Sequence, residues 1–415
     1  MVHCARSTRL WLHRPGDRPL DAEGHLLTVS VIVVSSRASD HLGRCLESVL
    51  HQADDVLVVD NGSPGGAAGT MAAEQGARFI NRKRNDGFAA GANRGIAETR
   101  GDIVAFLDDE AVAGDGWLGT ASALLEDPTI GAVAPRVVLA GRYLEVSLDD
   151  EPWFAGDASR PLGRQLRQAT LGGVDVLPTL VGPGVHDLEH GPAGDRWRWT
   201  AGRLPFYVPL VDTEAELTLR LNFEPVRASR VVDLLSSAGS YLREDGSVGD
   251  IGDATPNDER MDVTEERFSL GARALVTTRE VLGRVGDLEE RYRTGYDDTD
   301  WCWRARLMGL RMFYDPAATV RQEARFTSGG LSRQRLLHLR ERNRILTLLR
   351  NAPFDIAMRE TWRKRRDGTG DGVADLLPRV LPRALGEREL LRRRWMMRPR
   401  DVFERWAGVD VPPSI

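Results

Sequence analysis

The chain has 415 residues, with 56 Lys and Arg against 61 Asp and Glu, a formal net charge of −5 and 41% hydrophobic residues. That length suggests roughly two to three structural units. The balanced charge gives no case for a nucleic-acid partner, although arginines crowd the C-terminal end. Cys4, Cys45 and Cys302 are too few and too widely spaced for a disulfide framework or a cysteine zinc site, so a reducing, cytoplasmic setting is expected. Residues 1–27 mix Arg6, Arg9, Arg14 and Arg18 with Pro15 and Gly16, and lack the apolar core of a signal peptide. No stretch offers about twenty uninterrupted apolar residues, so no membrane span is expected.

Val29-Ser-Val-Ile-Val-Val34 reads as a first strand. Ser39 then precedes apolar residues at 42, 45, 46, 49 and 50, which is helical spacing behind an N-cap. Val56-Leu-Val-Val-Asp60 is a second buried strand ending in an acid, followed by the turn sequence Asn61-Gly-Ser-Pro64. A second helix closes at Gly76, Arg78-Phe-Ile80 is a short strand, and Asn85 to Gly95 opens a helix stopped by Gly101. Ile103 to Leu107 is an uninterrupted apolar run, as in a strand covered on both faces, and it leads straight into Asp108, Asp109 and Glu110.

Strands alternating with helices in this way imply a doubly wound, mostly parallel sheet with all its carboxyl ends on one rim. Asp60 and Asp108 to Glu110 share that rim, where open α/β sheets bind ligands. Hard oxygen ligands clustered there suit Mg²⁺ or Mn²⁺ carrying a substrate diphosphate; the plain alternative is an acidic loop after a strand. Glycines at 87, 91 and 95 would let backbone approach a nucleotide closely.

Gly131 to Val138 returns as a strand, after which the α/β rhythm stops for about ninety residues. Leu217, Leu219, Leu221 and Phe223 alternate on one face, and Leu204 to Leu210 reads as a Pro-bounded edge strand, so the insertion is a small antiparallel β module. Trp197 and Trp199 offer flat surfaces for a sugar ring but are better read as filling that module's core. His186 and His190, in Gly/Pro-rich sequence, read as loop histidines rather than ligands.

After the insertion the α/β pattern resumes. Tyr296-Asp-Asp-Thr-Asp300-Trp301 places Asp297, Asp298 and Asp300 in the first turn of a helix ended by Gly309. The helix dipole and free N–H groups there favour ionised carboxylates, ready to act as a base. One acid suffices for capping, so three point to chemistry.

Val-Val-Asp60-Asn-Gly-Ser, Asn85-x-Gly-Phe-x-x-Gly-x-Asn-x-Gly95 and Phe-Leu-Asp-Asp-Glu110 together resemble glycosyltransferase family 2, across roughly Thr28 to Pro353. The resemblance implies a GT-A fold and an inverting transfer from a nucleotide-diphospho-sugar. It implies that Ser35, Asp60, Asn85, Gly87, Asn93, Asp108 and Asp109 bind the donor, and that Asp108, Glu110 and Gln322 hold a divalent cation, Mn²⁺ or Mg²⁺. Gln322 stands where the family has a histidine, and an amide oxygen is a weaker ligand than imidazole. Asp298 matches the family's base, with Asp297 as the alternative, and Gly271, Ala272, Asp300 and Trp301 match its acceptor site. The β insertion and its Arg-Trp-Thr stretch are similar to those of actinobacterial-type members.

The boundaries expected are an N-terminal extension at 1–27, a donor half at 28–140, the β module at 141–232, an acceptor half at 233–330 and a helical region at 331–415. Arg363 to Arg366 and Arg392 to Arg400, the latter enclosing Trp395, Met396 and Met397, suit an anionic membrane surface where lipid-linked acceptors are found. Solvated helix faces explain them equally. The acceptor is thus a carbohydrate or a lipid-linked molecule, and a homo-oligomer is compatible with the sequence. Two rival readings remain. A sugar-phosphate nucleotidyltransferase would carry a Gly-rich loop after the first strand, where this chain has Ser35-Ser-Arg-Ala-Ser39. A lapsed transferase that only binds donor or scaffolds partners would explain Gln322.

Overall fold

The computed structural model describes residues 26–148, 151–154, 161–210, 219–222, 226–323, 333–366 and 373–411. The first half is built from β1 (Val29–Ser35), α1 (Asp40–Val49), β2 (Asp55–Asn61), α2 (Ala67–Glu74), β3 (Arg78–Arg82), α3 (Phe88–Glu98), β4 (Ile103–Asp108), β5 (Ala111–Ala113), α4 (Trp117–Leu124) and β6 (Ile130–Leu139). After the insertion come β7 (Leu235–Ser237), β8 (Glu265–Glu266), β9 (Ala274–Thr278), α5 (Arg279–Val285), α6 (Asp297–Leu307) and β10 (Arg311–Gln322). These strands form one ten-stranded sheet in the order β8-β10-β6-β9-β4-β1-β2-β3, with β7 added to β6 and β5 to β10. β1 to β4 run parallel, as does β10 beside β6, while β9 is antiparallel to β4 and β6.

The apolar runs sit where continuous hydrophobicity requires. Val31, Ile32, Val33, Leu57, Val58, Val104 and Ala105 are fully buried, because helices cover both sheet faces. One face packs α1, α2 and α4. The other packs α3, α5 and α6. Ser39 caps α1 by accepting from the Leu42 N–H, as its sequence position predicts. Gly91 and Gly95 serve packing: a Cβ on either would lie 2.5 Å from Val34 or Ile32, so α3 lies tight against β1. These two glycines therefore face the sheet rather than a nucleotide.

The insertion is antiparallel. Tyr143–Leu148 pairs with Phe206–Pro209 and with Val226–Val232, and Leu219–Leu221 pairs with Ala169–Leu171. Most of the alternating stretch read from sequence, residues 211–218 and 223, lies outside the described residues, as do residues 1–25. The module's core is Val146, Leu148, Leu166, Leu171, Phe206 and Val208 with their neighbours. Trp197 and Trp199 are half-buried outside it, Trp197 donating to Glu189 and Trp199 meeting Trp153 edge-on. The expected core role is not theirs, because the alternating aliphatic residues already fill the space.

Four helices follow, α7 (Arg333–Asn351), α8 (Phe354–Arg366), α9 (Val373–Arg392) and α10 (Pro399–Trp406). They pack on the outer side of α6, where Trp303 and Leu307 meet Ile345, Leu349, Phe403 and Trp406. α6 is thus sandwiched between sheet and helical region, and nearly every residue in it is buried. No described helix is long and apolar enough to cross a membrane.

Candidate active site

Register puts the first acids on one level. Ser35 lies beside Asp60, and Val34 beside Asp108, at the carboxyl ends of β1, β2 and β4. The Asp60 carboxylate is 1% exposed and accepts from the Ser63 N–H, the Ser63 hydroxyl and the Gly69 N–H, at 2.8, 2.7 and 3.1 Å. Both oxygens are used inside the turn that leads into α2. Asp60 therefore also shapes the rim on which the donor is expected. Asn93 differs: its amide bonds to Leu288 and Glu290 rather than facing a nucleotide. Asn85 remains exposed at the rim, accepting from Asn61 and from the Gly87 N–H. A Cβ on Gly87, at φ +98°, would lie 2.4 Å from the Arg293 carbonyl oxygen, so this glycine admits protein backbone.

At the end of β4 the three acids diverge in environment. Asp108 accepts from the Glu110 N–H at 3.0 Å. The Ser35 hydroxyl and Asp109 lie 2.6 Å apart. Burial and then the neighbouring Asp108 charge push Asp109 up to about 7. Glu110 is 4% exposed and ion-paired with Arg37, from the loop after β1. Gln322 is 6% exposed, and its Oε1 accepts from the Ser236 hydroxyl at 2.6 Å. Among the described residues no three His, Cys, Asp or Glu side chains converge as a metal site. The predicted set of Asp108, Glu110 and Gln322 therefore does not fit a cation cradle, because an arginine and a serine already occupy two of its members.

The second acidic segment opens on a cleft of about 540 Å³, whose walls include Asp250, Gly271, Arg273, Tyr296 and Asp298. Arg293 and Tyr296, just before the acids, have φ of +59° and +71°, a sparsely populated conformation for such residues. Asp298 accepts from the Thr299 N–H at 2.7 Å and from the Ala272 N–H at 3.3 Å. Its carboxyl is held above the ordinary range, chiefly by burial, with those N–H groups opposing. Asp297 is 6% exposed and pushed up to about 7 by burial and then by the Asp298 charge. Sequence reasoning expected the helix N-terminus to favour ionisation. Burial outweighs it, since desolvation of a carboxylate shifts pKa by more than one helix end does.

Asp300 and Trp301 do not reach the cleft. Asp300 is fully buried, paired with Arg304 at 2.9 Å and accepting from Asn351 at 2.8 Å. Trp301 is 3% exposed and donates to the Gly286 carbonyl. Their predicted acceptor role is corrected to one of anchoring α6. Gly271 and Ala272 do stand beside Asp298. The same segment bonds the donor side, because the Asp108 N–H donates to the Arg273 carbonyl at 2.8 Å. Arg273 in turn pairs with Asp250 at 3.1 Å. Arg37, Asp250, Arg273 and Tyr296 were not read from sequence. Only Arg37 left a signal, an arginine just past a strand end facing an acid cluster.

Residues 30–169 match the model of the family described as glycosyl transferase family 2. This segment is a glycosyl transferase family 2 domain. The family 2 domain holds Asp60 and Asp108 to Glu110, whereas Asp297 and Asp298 lie beyond the matched residues. Over 123 residues the chain is 34% identical to the pre-mycofactocin glycosyltransferase of Mycobacterium tuberculosis, covering 29% of this chain and 26% of that one. The chain thus spans about a quarter of that relative's length. Among solved structures it is similar to GalNAc-T7 with UDP, GalNAc and Mn²⁺, at a TM-score of 0.46 and 11% identity, covering 78% of this chain and 47% of that one. It is also similar to the mannosyltransferase PcManGT of Pyrobaculum calidifontis with GDP-Man and Mn²⁺, at a TM-score of 0.39 and 15% identity, covering 91% and 75%.

Proposed function

We propose that the chain is an inverting glycosyltransferase that moves a sugar from a nucleotide-diphospho-sugar to an acceptor hydroxyl. One observation carries this reading: a single segment, Gly271 to Arg273, bonds both the donor-side acid Asp108 and the cleft acid Asp298. A donor on the β4 rim and an acceptor in the cleft would therefore meet across fixed backbone, which favours a near-attack geometry. In the reaction the acceptor oxygen bonds to the anomeric carbon as Asp298 takes its proton. The bond from that carbon to the β-phosphate oxygen breaks, and the nucleoside diphosphate leaves. A single displacement inverts configuration. The raised pKa of Asp298 suits a base whose strength must approach neutrality. In this reading residues 28–140 bind the donor and 233–330 the acceptor.

The acceptor class we favour is a carbohydrate or lipid-linked molecule of cell-surface polysaccharide or glycoconjugate synthesis. Leu390 and Met396 are 63% and 74% exposed near Arg392 and Arg393, which suits peripheral contact with anionic lipid at the cytoplasmic face. The test is a panel of UDP-, GDP- and dTDP-sugars followed by NMR of released sugar and transfer product. Product of inverted anomeric configuration supports the reading; retention, or nucleotidyl transfer, overturns it.

A further inference from the structure

The acid where a cation ligand was expected already has a cation. Glu110, at the rim end of β4, is buried and ion-paired with Arg37, whose own side chain remains 43% exposed. Gln322 is bound to Ser236, and no described cluster of acids, histidines or cysteines replaces the pair. A divalent ion would have to displace the Arg37 guanidinium to reach the Glu110 carboxylate.

We propose that Arg37 is the fixed positive charge for the donor's diphosphate, so that a nucleoside diphosphate binds without a divalent ion. This rests on the donor reading given above. A guanidinium carries five N–H donors in a planar fork that matches phosphate oxygens, and it can hold a carboxylate on one edge while presenting another to the ligand. Arg37 has the exposure to do so and lies in the loop directly after β1, one residue beyond Ser36 on the donor rim. Glu110 then acts as a positioning residue that aims the guanidinium, and Ser35, bonded to Asp109 and to the Arg37 carbonyl, fixes the loop.

Calorimetric titration of the full chain with UDP, GDP and dTDP, in EDTA and in Mn²⁺, tests this. At least one nucleotide should bind in EDTA within about threefold of its affinity in Mn²⁺, and Arg37→Met should weaken that binding about tenfold or more, the scale of one charge-assisted contact. Because Arg37→Met removes the guanidinium beside buried Glu110, the Arg37→Met/Glu110→Gln variant provides a neutral counterpart, and it should show the same loss. Electron paramagnetic resonance of Mn²⁺ with the parent protein should show mostly free ion in the absence of nucleotide. If EDTA abolishes binding while the double variant retains the Mn²⁺-supported affinity, the inference is overturned and the donor reading stands. Absence of binding by all three nucleotides in both conditions removes the donor reading and the inference with it.

Discussion

Asn93 and Leu288 exchange two hydrogen bonds across 195 positions of chain: Asn93 Oδ1 accepts from the Leu288 N–H at 2.9 Å, and its Nδ2 donates to the Leu288 carbonyl at 3.0 Å. The side-chain amide imitates a strand neighbour and ties α3 to the loop leading into α6. That loop carries Arg293 and Tyr296 to the acids of the cleft. Asn93→Ala leaves a backbone N–H and C=O without partners, and each such loss costs about 1–3 kcal/mol where water is excluded. Urea denaturation should show a drop in that range, with nucleotide affinity per folded molecule unchanged. A stable variant that has lost nucleotide affinity would return Asn93 to the donor site.

Asp300 gives a second stability prediction. Its carboxylate is fully buried between Arg304 and Asn351, with Arg350 nearby at 3.6 Å. Asp300→Ala leaves the buried Arg304 guanidinium without its carboxylate, while Arg350 keeps Glu289, and removing one partner of a buried pair costs about 3–5 kcal/mol. The variant should melt well below the parent, and a thermal midpoint within experimental error of it would contradict the anchoring role.

The α/β order was legible because fully apolar strands with Gly and Ser punctuation leave little choice of structure, and β1, β2 and β4 appear within a residue or two of their sequence reading. The acids at the strand ends were legible for the same reason. What each acid does was not. Asp60 and Asp300 lie in motifs that read as binding sites, yet each carboxylate is taken by a residue three or four positions on, Ser63 and Arg304, a local pairing that competes with the same acid's role in a motif. Arg37 and Glu110 are 73 positions apart, and no local pattern announces that β1 and β4 are neighbours bringing them together.

Asp297 makes the fold pH-dependent. Its folded pKa of about 7 stands above the 3.8 of an unperturbed carboxyl. The folded state therefore holds the proton more tightly than the unfolded chain, so this stabilising contribution is full below about pH 4 and is lost as pH rises through 7. Asp297→Asn removes the charge that must otherwise be buried. Relative to the parent it should gain stability at pH 8, on the order of 1–3 kcal/mol, and gain much less at pH 4. Equal differences at both pH values, read from urea midpoints, would contradict a raised Asp297.

The proposed lipid contact at the end of α9 predicts a lipid dependence. Met396 and Leu390 would insert shallowly while Arg392 and Arg393 meet anionic headgroups, each arginine worth about 1 kcal/mol near such a surface. Co-sedimentation with phosphatidylserine-containing vesicles should exceed that with neutral vesicles and fall with salt. Arg392→Glu/Arg393→Glu should abolish the difference. Equal recovery on both vesicle types would leave these residues as a solvated helix end.

The proposed transfer places its base at Asp298. This residue lines the cleft, its carboxylate is held by the Thr299 and Ala272 N–H groups, and its raised pKa places the acid limb of the rate profile above the usual carboxylate range. Asp298→Asn keeps the shape and accepts the same N–H bonds through its amide oxygen, but cannot take a proton. Turnover should fall by about two to four orders of magnitude with donor affinity little changed, and the acid limb should disappear from what activity remains. Asp297→Asn should cost less, because Asp297 is buried and is not among the residues lining the cleft. A folded Asp298→Asn protein that transfers sugar at near-parental rate would move the base to Asp297 or to Asp250 across the cleft.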